Sequence, residues 1–168
     1  LVEHKGRNNL IKNLVKDLDG NTLVLFNYVE KHGTPLYELI NNNVDSARKV
    51  FFVHGGTDVE DREEVRNLTE TESNAIIVAS YGTFSTGINI KRLHNIVFAS
   101  PSKSRIRNLQ SIGRVLRKGE GKDIATLYDI ADDIGGQNYT LKHLNERVNI
   151  YNNENFKYEV IRVNLRAN

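Results

Sequence analysis

The chain has 168 residues, 39% of them hydrophobic, and 12 glycines, which together make about 46% of the sequence, as in ordinary soluble domains. Its length suits one domain with a sizeable core. With no cysteine it can form no disulfide, cysteine-ligated zinc site or thiol nucleophile, and its 23 Lys+Arg against 21 Asp+Glu leave a net charge of +2 that by itself points to no partner.

Arg7–Leu18 places Leu10, Ile11, Leu14, Val15 and Leu18 on one helical stripe, and Gly20 stops the helix. Thr22–Phe26 is a short continuous apolar run, the pattern of a strand buried on both faces. A helix is predicted over Pro35–Asn42, with Pro in its first turn. Val50–Val53 is a second apolar strand, and it ends at His54-Gly55-Gly56. Thr57 then reads as an N-cap, with Glu60 completing a capping box for a helix to about Leu68. Ala75–Ala79 and Asn95–Ala99 are further strands, followed by a helix over Ser102–Arg117, a strand over Ile124–Ile130, a helix over Asn138–Asn153 and a final alternating strand at Phe156–Val163.

Buried strands alternating with helices predict an α/β fold, a doubly wound, mainly parallel sheet in three layers with helices on both faces. Ligands of such folds bind beyond the carboxyl ends of the strands. Asn27-Tyr28, His54-Gly55-Gly56 and Ser80–Asn89 fall there. No stretch approaches ~18 apolar residues and no signal peptide is present, so a soluble, cytoplasmic protein without a membrane partner is expected. The chain starts at Leu1 and holds no Met, so it is expected to be a piece of something longer.

Charge is distributed unevenly. Thr57–Glu72 holds seven acids against Arg62 and Arg66, a local balance of −5. Ser102–Lys122 holds seven cations against Glu120, a balance of +6. At ~100° per residue, Ile106, Leu109, Ile112, Gly113 and Leu116 share an arc of about 120°, which would pack on the sheet. Lys103, Arg107, Gln110, Arg114 and Arg117 share an adjoining arc of about 80°. No acid lies between Lys103 and Gly119 to pair with these cations. A bound phosphate would relieve their repulsion, because guanidinium donors match phosphate oxygens. Spacing alone equally fits a solvated basic face, or sequence-independent contact with nucleic-acid phosphates.

Gln110-Ser111-Ile112-Gly113-Arg114-Val115-Leu116-Arg117 resembles motif VI of the superfamily 2 helicases, Gln-x-x-Gly-Arg-x-x-Arg. Three other segments resemble that family's motifs in its order and spacing. Leu23–Tyr28 is similar to motif IV, Phe51–Gly55 to the strand-His-Gly segment after it, and Ile76–Ile90, with Ser80, Thr83, Thr86, Gly87 and Asn89, to motif V. The resemblance covers roughly Thr22 to Asp129. Its wording, Ser-Thr-Gly-Ile-Asn and Gly-Arg-Val-Leu-Arg, looks most like the UvsW group of phage repair helicases, which are similar to RecG and XPB-type DNA translocases.

The resemblance implies that residues 1–168 are the second of two RecA-like domains, with ATP and Mg²⁺ held mainly by an N-terminal domain absent from this chain. Arg114 and Arg117 would point across the cleft at the γ-phosphate, with Arg117 as the arginine finger. Gln110, Gly87 and Asn89 would meet the nucleotide. Many relatives have Asp where Asn89 stands, so any bond to a ribose hydroxyl there would carry no charge. Asn27, His54, Thr83 and Thr86 would touch the backbone of a tracked DNA strand, single-stranded or branched. Taken without the resemblance, Asn27 and Asn89 are equally caps, Gly87 a turn, Thr83 and Thr86 local caps, and His54 a satisfied loop histidine.

Other chemistries find no support in the residues. Gly121-Lys122 is followed by Asp123 and has Leu116 where a phosphate loop needs Gly, and no Gly-x-Gly-x-x-Gly follows a strand. Asp58-Val59-Glu60-Asp61 reads as a solvated helix start favoured by the dipole. Asp129, Asp132 and Asp133 read as turn acids, and no metal site is expected. The expected function is that of a motor domain of an ATP-dependent DNA helicase or translocase acting on branched DNA in recombination, replication and repair, inactive as an isolated piece. The alternative is a non-catalytic module that uses the basic helix on nucleic-acid phosphates.

Overall fold

The computed structural model describes residues 4–55, 63, 67, 71–82, 93–100 and 126–130. In chain order it contains α1 (Lys5–Asp17), β1 (Thr22–Phe26), a π-helical turn (Val29–Gly33), α2 (Thr34–Asn41), β2 (Val50–Val53), β3 (Ile76–Ser80), β4 (Asn95–Phe98) and β5 (Thr126–Asp129). The five strands form one parallel sheet in the order β2-β3-β1-β4-β5. The predicted helices over 57–68, 102–117 and 138–153 and the strand over 156–163 lie outside the described residues, apart from Glu63 and Asn67, which are helical and exposed.

β1 is the axis of this sheet, paired with β3 on one edge and β4 on the other. All five of its residues are buried. Its side chains alternate as a strand's must. Val24 and Phe26 pack with Ile11 and Val15 of α1 and Leu36 and Ile40 of α2. Leu23 and Leu25 point the other way, among Val53, Ile77, Ala79, Tyr81, Ile96 and Phe98. Each such side chain contributes roughly 1.5–3 kcal/mol when removed from water, so neither face of β1 can be left open.

The elements differ from the sequence reading in instructive ways. α1 starts two residues earlier than Arg7, because the His4 ring accepts the Arg7 N–H at 3.1 Å as an N-cap. β3 sits one residue further on than Ala75–Ala79, because the Ala75 N–H is taken by the Asn21 side chain at 2.8 Å rather than by a strand. β4 ends one residue before Ala99 and β5 one residue before Ile130, and the π-helical turn has no counterpart in the sequence pattern. In that turn the N–H groups of both His32 and Gly33 reach the carbonyl of Tyr28, at 3.1 and 2.8 Å.

The amino end of the sheet is closed by side chains. Asn21 donates to the Glu72 carbonyl, and Asn95 donates to the Asp19 carbonyl, each at 2.8 Å. Arg48 donates to the carbonyls of Val15, Lys16, Gly20 and Asn74, which caps the end of α1. Burial lowers the Arg48 pKa, and the Asp19 charge opposes that shift. Among the described residues no helix is long and apolar enough to cross a membrane.

Gly33 is required by the close approach of the π-helical turn to β1. A Cβ there would overlap the Phe26 ring, which is wholly buried in the close-packed core. Gly33→Ala is therefore expected to destabilise the chain by about 1–3 kcal/mol in urea unfolding. A change below about 0.5 kcal/mol would show that the ring moves freely.

Candidate nucleotide and nucleic-acid face

Two of the predicted site residues, Asn27 and His54, are described. Thr83, Thr86, Gly87, Asn89, Gln110, Arg114 and Arg117 lie outside the described residues. Both described residues stand on the carboxyl rim of the sheet, where an open parallel sheet binds its ligands. Register fixes their relation. Leu25 and Val53 both pair with Ala79, so His54 stands level with Phe26, and Asn27 is one residue further out. Since β3 lies between their strands, about 10 Å of rim separates the two.

Asn27 follows a strand with no exposed residue and is itself exposed, as is Tyr28, whose accessibility is 55%. The main-chain ladder between β1 and β4 ends at the Ala99 N–H bonded to the Leu25 carbonyl at 2.9 Å. The next donor, Asn27 N–H, instead bonds to the Ser100 hydroxyl at 3.0 Å. This bond holds the Asn27 backbone at the sheet's edge and leaves the side chain outward.

His54 is placed by aromatic packing. Its ring is 5.0 Å from that of Phe52, tilted by 50°. Phe52 in turn stacks on Phe26 at 5.7 Å and on Tyr37 at 5.1 Å. The stack ties α2, β1 and β2 together and gives His54 a rigid seat at the tip of β2. His54 is half-buried.

Behind the rim lies a group of residues that the sequence reading did not single out. His32 is wholly buried, with Nδ1 2.6 Å from Ser100 Oγ and Nε2 3.0 Å from Asn8 Oδ1. Tyr81, just past β3, donates its hydroxyl to the Ser100 carbonyl at 3.2 Å and meets Phe98 edge-on. No periodicity or motif marks these partners, because they come together only through the sheet. Among the described residues, no group of three His, Asp or Glu side chains could hold a metal ion.

The helicase conserved C-terminal domain model matches residues 6–119. The chain belongs to that family. Over 160 residues it is 43% identical to the ATP-dependent DNA helicase UvsW of Enterobacteria phage T4, an alignment covering 88% of this chain and 31% of that protein. A putative ATP-dependent RNA helicase of Acanthamoeba polyphaga mimivirus is 30% identical over 130 residues, covering 76% of this chain and 23% of the relative. The chain thus spans less than a third of the length of either helicase. The crystal structure of T4 UvsW superposes with a TM-score of 0.81 at 41% identity, over 98% of this chain and 36% of that one. Domain 2 of the DEAD-box helicase Mss116p, bound to an RNA duplex, superposes with a TM-score of 0.58 at 18% identity, over 75% of this chain and 48% of its own, a likeness of fold. The helicase C-terminal domain seen here is therefore α/β and RecA-like, and close to UvsW.

The aromatic stack is testable without any ligand. A double-mutant cycle on Tyr37→Leu and Phe52→Leu is expected to give a coupling of about 0.5–1.5 kcal/mol in urea unfolding. Additivity within about 0.3 kcal/mol would mean that the two rings do not support each other.

Proposed function

We propose that this helicase C-terminal domain is the second motor domain of an ATP-dependent DNA helicase or translocase that acts on branched DNA in recombination, replication and repair. The observation that carries the reading is the 43% identity to the T4 DNA helicase, extending over 88% of this chain. The rim geometry suits it. Asn27 is exposed at the tip of the central strand, and His54 is seated at the tip of β2.

On this reading Asn27, His54, Thr83 and Thr86 contact the sugar–phosphate backbone of single-stranded or branched DNA. Amide, hydroxyl and imidazole donors at loop tips fix a strand's position without reading its sequence. Gln110, Gly87 and Asn89 face the nucleotide. Arg117, with Arg114 beside it, stabilises charge on the transferring phosphoryl group from across an interdomain cleft. Bound ATP with Mg²⁺ supplies the group that is transferred, and an N-terminal RecA-like domain of the same protein holds most of it. This chain contributes donors and positive charge, and the acids and phosphate loop belong to the other domain.

Arg117→Ala in the full-length protein tests the assignment. Loss of an arginine finger is expected to lower DNA-stimulated ATP turnover by about 10³-fold or more, while DNA affinity stays within a few-fold. Normal turnover would sink the finger assignment. A large loss of DNA affinity with a steep salt dependence would favour the non-catalytic phosphate-binding module instead.

A further inference from the structure

Ser100 is wholly buried at the carboxyl end of the sheet, where the exit of β1 and the segment after β3 both bond to it. Its hydroxyl takes the N–H of Asn27, at the exit of β1. Its carbonyl takes the hydroxyl of Tyr81, two residues before Thr83. Its own chain continues through Pro101 into the segment that carries Gln110, Arg114 and Arg117. A third contact, 2.6 Å to His32 Nδ1, leads back through His32 Nε2 to Asn8 of α1 at 3.0 Å.

The donors and acceptors run in one direction. An amide oxygen only accepts, so His32 Nε2 carries the proton that faces Asn8. A neutral ring then offers Nδ1 as an acceptor. The Ser100 hydroxyl donates to it and receives the Asn27 N–H on its remaining lone pair. The chain of bonds therefore runs from Asn27 through Ser100 and His32 to Asn8, away from solvent, where each bond polarises the next. A shift of Asn27 therefore either carries Ser100 with it or breaks the first bond of this chain. Neither Ser100 nor His32 is exposed, so neither can touch DNA or nucleotide itself.

We propose that Ser100 and His32 are positioning residues that hold Asn27 for strand contact, so that bound DNA accelerates ATP turnover through them. This rests on the motor-domain reading above. The coupling element is the buried hydroxyl–imidazole pair, which joins the β1 exit to the β4 exit. Packed and hydrogen-bonded groups of this kind can carry energetic coupling between two sites, which only a coupling measurement demonstrates.

The test is the ratio of ATP turnover with saturating single-stranded oligonucleotide to turnover without it, measured on the full-length protein. A ratio is unaffected by the fraction of enzyme that is folded. Ser100→Ala and His32→Leu are expected to lower it at least fivefold. His32→Asn, which keeps an acceptor for the Ser100 hydroxyl, is expected to hold it within twofold of the parent. Should Ser100→Ala fail to fold, the two His32 variants carry the test alone. An unchanged ratio in Ser100→Ala or His32→Leu would overturn the proposal, as would equal losses in His32→Asn and His32→Leu. If the parent's turnover ignores DNA, the motor-domain reading fails, and this proposal with it.

Discussion

The structure depends on β1 being buried on both faces and paired along both edges. Such a strand has no freedom to expose a side chain, and every main-chain polar group along it has to be met by a neighbour. Its usable surface is confined to its end. At the carboxyl end the ladder to β4 runs out, and within one residue the chain passes from Phe26, wholly buried, to Asn27 and Tyr28, both exposed. The Ser100 hydroxyl replaces the missing rung. A polar residue at the rim is thereby held by the same constraint that builds the core.

The two ends of the sheet are treated differently. At the amino end, Asn21, Asn95 and Arg48 bond to main-chain groups of the connecting loops and fasten them down. At the carboxyl end, His54 is braced through Phe52 against Tyr37 and Phe26, and the segment after β1 is braced by His32 and Ser100. Rigid support from behind suits side chains whose task is to meet a ligand in a fixed position. The fold and the candidate face therefore share residues. Phe26 packs the core, limits residue 33 to glycine and supports the stack beneath His54.

Much of this is legible in the amino-acid sequence, for identifiable reasons. β1 and β2 occupy the ranges that their apolar runs predict, since a doubly buried strand needs an uninterrupted run bounded by polar residues. Boundaries set by side-chain bonds are not legible. The cap by His4 lies outside the usual capping residues, and the shift of β3 follows from an Asn21 bond across 54 positions. The π-helical turn has no periodic signature, so the seat of His32 could not be read. The strand pattern puts Asn27 and His54 on the carboxyl rim, and there they stand. The Ser100–His32 pair spans 68 positions and becomes visible only once β1 and β4 are adjacent.

Steady-state ATP turnover, with and without DNA, measured in parallel on the full-length protein and on residues 1–168 alone tests the proposed two-domain motor. DNA-stimulated turnover is expected from the full-length protein and none from the isolated chain. Hydrolysis by the isolated chain, or a full-length protein that hydrolyses no ATP in the presence of DNA, would contradict it.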